Sequence, residues 1–170
     1  SAVGVDEILQ RTGISRCSFY YYFKTKEGFG AELIDRYRHF ITQKLERCLS
    51  DTSLSPLGSL RTFVGEVRDE MARTDCRSGC LAGKLAQEVN TLPENFREQL
   101  SAVFAEWQDV FARGLKRAQE TGEISPELDC ASTAAFFWYG WEGALQRANL
   151  ELNIKPVDIF IGNFFSRLTG

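Results

Sequence analysis

Two short stretches hold the side chains of this sequence that can do chemistry. In CRSGCLAGKLAQEVN, Cys80 follows Arg77, precedes Lys84, and falls where a short helix is expected to start. A helix N-terminus and nearby cations both favour the thiolate, the nucleophilic form of cysteine. The alternative reading is a small apolar residue that packs inertly. Cys76 and Cys80 lack a second pair, and His39 is the single histidine, so the set is a poor zinc site and no metal is expected. The second stretch, GISRCSFYYYFKTKEGF from Gly13 to Phe29, places three consecutive tyrosines between phenylalanines and follows them with two lysines.

On a helix each residue advances about 100°, so three neighbouring tyrosines cannot share a face. Phe19, Tyr22 and Phe23 group together as expected anchors. Tyr20 and Tyr21 then point away, with Arg16, Ser18 and Lys26 completing a polar surface suited to phosphates or base edges. Val5, Ile8 and Leu9 mark a short helix ahead of the break at Thr12–Gly13–Ile14–Ser15, and Ser15 is placed to cap the next one. Helix, glycine-containing turn, helix is the helix-turn-helix pattern, whose second helix enters a major groove. Thr25 is placed to cap a further helix, with Glu27 favourably near its start.

The rest of the chain must position these groups. Apolar residues recur at helical spacing: Phe29, Leu33, Tyr37, Phe40, Ile41 and Leu45, then Leu57, Leu60, Val64, Val67 and Met71. The longest stripe runs from Phe96 through Phe104, Trp107 and Phe111 to Ala118, and the last from Val157 to Leu168. Pro56 and Pro93 suit first-turn positions. No stretch alternates with period two, so the fold expected is all-α. CASTAAFFWYGW, from Cys130 to Trp141, is apolar nearly all round and needs cover on several sides. Phe104, Trp107, Phe111, Trp138 and Trp141 either line a ligand pocket among the middle helices or simply build the core. Glu142 and Arg147 either orient a polar ligand or meet a second subunit.

With 44% hydrophobic and 25% charged residues, the composition is that of a water-soluble globular chain. The sequence has neither an apolar run long enough for a bilayer nor a signal-peptide pattern, so a cytoplasmic protein without membrane contact is expected. Its five cysteines make no disulfide framework. The net charge of −3 conceals an asymmetry: residues 1–47 carry eight Lys/Arg against six Asp/Glu, and residues 48–170 twelve against seventeen. A basic front on an acidic body permits a nucleic-acid module at the N-terminus. There is no Gly-rich phosphate loop and no Ser/His/Asp grouping, so neither an enzyme nor a cofactor is expected.

The segment VDEILQRTGISRCSFYYYFKTKEGF closely resembles the DNA-binding segment of the tetracycline-repressor (TetR) family. The match reads Thr12-Gly13-Ile14-Ser15, Ser18-Phe19-Tyr20-Tyr21-Tyr22-Phe23 and Thr25-Lys26-Glu27. Cys17 belongs with the DNA-facing set, at a position where the family usually has a small residue. The resemblance implies a further helix ahead of the first one here, since the sequence begins almost at the family's second. It also implies two parts: a helix-turn-helix domain over 1–47, lacking that first helix and running into a connecting helix, and a ligand-binding and dimerisation domain over 48–170. The pattern S-G-C-L-x-x-K-L-x-x-E-V resembles the subgroup of the repressor of N-ethylmaleimide reductase genes (NemR-like), which implies an electrophile-responsive role for Cys80. The function implied is a homodimeric regulator, most simply a repressor, released from a palindromic duplex operator by a small molecule or an electrophile. Phe160, Phe164 and Phe165 are the expected anchors of the dimer interface. A helical protein-interaction module without DNA binding is the alternative.

Overall fold

In the computed structural model, which describes residues 4–169, all the regular structure is helical. The helices are α1 (Val5–Thr12), α2 (Arg16–Phe23), α3 (Lys26–Ser50), α4 (Pro56–Arg73), α5 (Leu81–Gln87), α6 (Glu94–Glu120), α7 (Cys130–Glu151) and α8 (Lys155–Thr169), with one 3₁₀ turn at Val89–Thr91. The all-α expectation therefore stands. The helix implied ahead of Val5 falls outside the described residues; the first described element is α1, the leading arm of the helix-turn-helix.

Local chemistry explains the breaks in the first three helices. Gly13 ends α1 in the left-handed region at φ 68°, and its N–H donates to Leu9 O at 2.9 Å. The Ser15 hydroxyl caps α2 by accepting from Ser18 N at 3.1 Å, and the Thr25 hydroxyl caps α3 by accepting from Gly28 N at 2.9 Å. Phe19, 2% exposed, sits among Phe23 and Phe29, with ring centroids 5.3 and 5.4 Å away. This aromatic knot fixes α2 against the start of α3.

α3 runs unbroken through the boundary expected at residues 47 and 48, so it belongs to the reading head and to the body at once. In the body it packs on α4 and α6, α6 packs on α7, and α7 packs on α8. Two half-buried polar ties fasten α3 to α6: Thr42 Oγ1 donates to Glu106 Oε1 at 2.7 Å, and Gln99 Nε2 donates to the Ala31 carbonyl at 2.9 Å. The core centres on rings from α6, α7 and α8. Phe111 and Phe137 stack at 4.1 Å, and Phe164 meets Phe137 edge-on at 5.0 Å.

Phe164 and Phe165 are 5% and 0% exposed, and Phe160 is half-buried against Phe137 and Trp141. Phe164 and Phe165 thus spend their apolar surface on their own subunit, while Phe160 keeps part of its ring exposed. The apolar side chains that α7 and α8 turn outward are Phe136, Tyr139, Leu150 and Ile159, each more than half exposed.

Candidate DNA-reading surface and effector cavity

The reading head presents Arg16, Cys17, Ser18, Tyr20, Tyr21 and Lys26 to solvent. Tyr21 is 77% exposed and Tyr20 39%, the latter resting edge-on against Phe19 at 5.4 Å. Tyr22, expected as an anchor, is 74% exposed and contacts Tyr21 edge-on, so Phe19, Phe23 and Phe29 do the anchoring. The helical phase explains the difference: with Phe19 and Phe23 one turn apart facing inward, Tyr22 lies at the margin of that face, and Phe29 from α3 takes its place. The Arg16 guanidinium pairs with the Asp6 carboxylate of α1. Ser18 is engaged locally, with the Ser15 and Ser18 hydroxyls 2.9 Å apart.

The body holds a partly open cavity of about 220 Å³ between α3, α4, α6, α7 and the segment leading into α5. Of the expected pocket residues, Cys80, Trp107, Trp138 and Trp141 come together on its wall. Phe111 is wholly buried in the ring stack of the core, and Phe104 lines a shallower surface cleft on the far side of Trp138. Tyr37, Phe63 and Met71 also line the cavity; Tyr37 and Met71 look in the sequence like any other members of their helical stripes, and Phe63 falls outside the stripe read for its helix.

A polar relay crosses one wall. The Cys80 sulfur caps α5, accepting from Gly83 N at 3.4 Å, and it exchanges hydrogen bonds with Tyr37 and with the Glu142 carboxyl. Glu142 presses against the bare backbone of Gly83: a β-carbon there would collide with Glu142 Oε2. Burial and the Glu142 carboxylate push the Cys80 thiol well above its ordinary range. Sequence reasoning puts Arg77 and Lys84 beside Cys80 and leaves a thiolate and an inert apolar thiol as alternatives. Both cations are exposed, and the group that meets the sulfur is an acid. Burial also raises the Tyr37 hydroxyl, reinforced by Cys80, and holds Glu142 up at about 7.

Among the described residues, two buried side-chain polar atoms lack a hydrogen-bond partner: Trp138 Nε1 and Glu142 Oε1. They are one turn apart on α7, and both residues line the cavity. Glu142 is foreshadowed as a lone acid at the end of an apolar run; its partner Gly83 has no comparable signal. Among the described residues, no cluster of three or more His, Cys, Asp or Glu is placed to hold a metal, and no helix is long and apolar enough to cross a membrane.

A helix-turn-helix head carried on a helical body defines a DNA-binding transcriptional regulator. Residues 1–33 match the family described as bacterial regulatory proteins, tetR family, and residues 56–164 match the tetracyclin repressor-like C-terminal domain. The chain belongs to the TetR family of transcriptional regulators, and it is a regulator rather than an enzyme. It is 43% identical to the transcriptional regulator AcuR of Cereibacter sphaeroides, over 96% of this chain and 75% of that protein. It is 27% identical to the repressor DhaR of Mycobacterium sp. strain GP1, over 99% and 83%. The crystal structure of a TetR regulatory protein from Rhodobacter sphaeroides superposes with a TM-score of 0.92 at 42% identity, covering 96% of this chain and 86% of that one. NemR of Escherichia coli K12 is 25% identical, over 93% and 79%, and reduced NemR shares the fold at a TM-score of 0.84. The resemblance is thus not specific to NemR: the chain is more similar to AcuR, at 43% against 25% identity.

Proposed function

We propose that the chain is a homodimeric repressor that leaves a palindromic operator when a small molecule fills the cavity beneath α3. The observation that supports this most directly is the placement of Tyr37. It lines the cavity, and it lies on the same unbroken helix whose first turn follows the recognition helix α2. A ligand that displaces Tyr37 moves α3, and α3 carries α2 with it, so the spacing of the two recognition helices no longer matches successive major grooves. Tyr20, Tyr21, Arg16, Cys17, Ser18 and Lys26 are the proposed contacts to the duplex. Covalent release through Cys80 is the weaker route, because a buried thiol held protonated is a poor nucleophile.

The test uses the natural full-length protein and a duplex selected from a random pool. Binding as a dimer to a palindrome, weakening steeply with salt, is the expected result. Tyr21→Ala should reduce affinity by about tenfold or more without altering the melting temperature. Binding indifferent to sequence and salt defeats the reading.

A further inference from the structure

We propose that the cavity is built for an organic cation: a small ammonium compound with an apolar body, its charged nitrogen at Glu142 and its body among the tryptophans. The inference rests on the cavity being the effector site, and it names the chemistry of the effector.

Three features converge on it. The first is the acceptor. The Glu142 carboxyl meets the Cys80 thiol and its Oε2 is seated against Gly83, while its buried Oε1 has no hydrogen-bond partner among the described residues. A buried acceptor left in that state is costly, and an N⁺–H donor from a ligand removes the cost. The second is the wall. Tyr37, Phe63, Trp107, Trp138 and Trp141 all face the cavity, with Trp107 and Trp138 stacked at 5.2 Å and Tyr37 edge-on to Trp107 at 6.1 Å. Aromatic faces around a carboxylate attract a cation through their quadrupoles and bury the apolar part of the same ligand.

The third is the charge inventory. The titratable and charged groups facing the cavity are Tyr37 and Lys44 from α3, Glu70 from α4, Cys80 before α5, and Glu142 from α7. Lys44, the single cation among the described residues lining it, is drawn to Glu66 at 3.6 Å and lies over the Phe40 ring, and Lys84 of α5 shares with Glu142 the adjoining, smaller cleft. Glu70 pairs with Arg73 at the surface. Tyr37 and Cys80 stay neutral, so the unmet charge belongs to Glu142. A carboxylate ligand would meet two acids and a lysine that already has a partner. Because burial keeps part of Glu142 protonated near pH 7, binding an ammonium expels a proton, and affinity rises between about pH 6 and pH 8.

All three tryptophans of the chain line the cavity, so their fluorescence reports occupancy. Full-length protein is titrated at pH 8 with phenethylammonium, 2-phenylethanol and 3-phenylpropanoate, which share an aromatic body and differ in the head group. The ammonium should bind about tenfold or more tightly than either of the others. Glu142→Gln should abolish that preference while the alcohol's affinity stays within about twofold. Gly83→Ala, which puts a methyl where Oε2 stands, should weaken the ammonium selectively and leave the thermal melt cooperative. Equal or tighter binding of the alcohol or the carboxylate, no quenching by any probe, or an undiminished preference in both variants overturns the cation site. Ammonium that binds as expected but leaves operator affinity unchanged refutes the effector role alone and upholds the site.

Discussion

Glu142 is a carboxyl group that folding removes from water, and its ordinary pKa is raised to about 7 by that burial. The sign of the consequence follows from linkage. Folded protein keeps the proton from about pH 4.5 to pH 7 while unfolded chain loses it, so stability is highest below that window and falls as pH rises through it. The loss is on the order of 3 kcal/mol, because each tenfold difference in proton affinity between the folded and unfolded states is worth about 1.4 kcal/mol. Glu142→Gln, which cannot ionise, should flatten this dependence: its melting temperature matches wild type near pH 4.5 and exceeds it at pH 8. Equal slopes in the two proteins would show that the carboxyl finds solvent. Gly83 has the complementary role, since only a residue without a β-carbon lets the acid lie against the start of α5. The acid is legible in the sequence because it closes an apolar run on α7. The glycine is not, because the contact joins residues 83 and 142, and nothing in local spacing records a pairing made by the fold.

At the scale of elements, the reading head is legible almost residue by residue. Its breaks depend on local rules: a left-handed glycine after α1, and hydroxyl caps before α2 and α3. The phase of a helix with aromatics on several sides is harder to read, which is why spacing alone turns Tyr22 inward when the fold leaves it in solvent. α3 matters most for function, because it joins head to body and is held to α6 by Glu106, which accepts from Thr42 and pairs with Arg38. Glu106→Ala leaves Thr42 without its acceptor and Arg38 with Asp35 alone, and should cost about 1–2 kcal/mol of stability, seen as a lower urea midpoint. If α3 and α6 move as one body on ligand binding, the same variant should also need more effector for half-maximal release of DNA. A variant that melts earlier but releases at the same effector concentration would make the tie structural only.

For the whole molecule, the proposed dimer requires two heads held at a fixed spacing. α7 buries Ala134, Phe137, Trp138, Trp141, Ala144, Leu145 and Ala148 on one side. On its other side Phe136, Tyr139 and Leu150 follow one another at helical spacing and stand in solvent, with Gly143 between them open to close approach. Ile159 on the packed neighbour α8 adds to the same kind of surface. An amphipathic face with large rings outward is the expected half of an isologous four-helix interface, in which the same patch serves both subunits. The phenylalanines of α8 stand out in the sequence because they recur on one face of a terminal amphipathic helix, but the core claims large rings first, and the interface takes what the core leaves. The two groups therefore separate by experiment. Phe136→Glu combined with Tyr139→Glu should give a folded monomer by sedimentation, with a cooperative melt and operator affinity reduced by about a hundredfold as the second half-site is lost. Phe164→Glu should instead destabilise each subunit by about 3–5 kcal/mol through an unpaired charge in the core. A dimer that survives the first pair of substitutions would move the contact away from this face of α7, and the fixed spacing of the heads would then have to come from another surface.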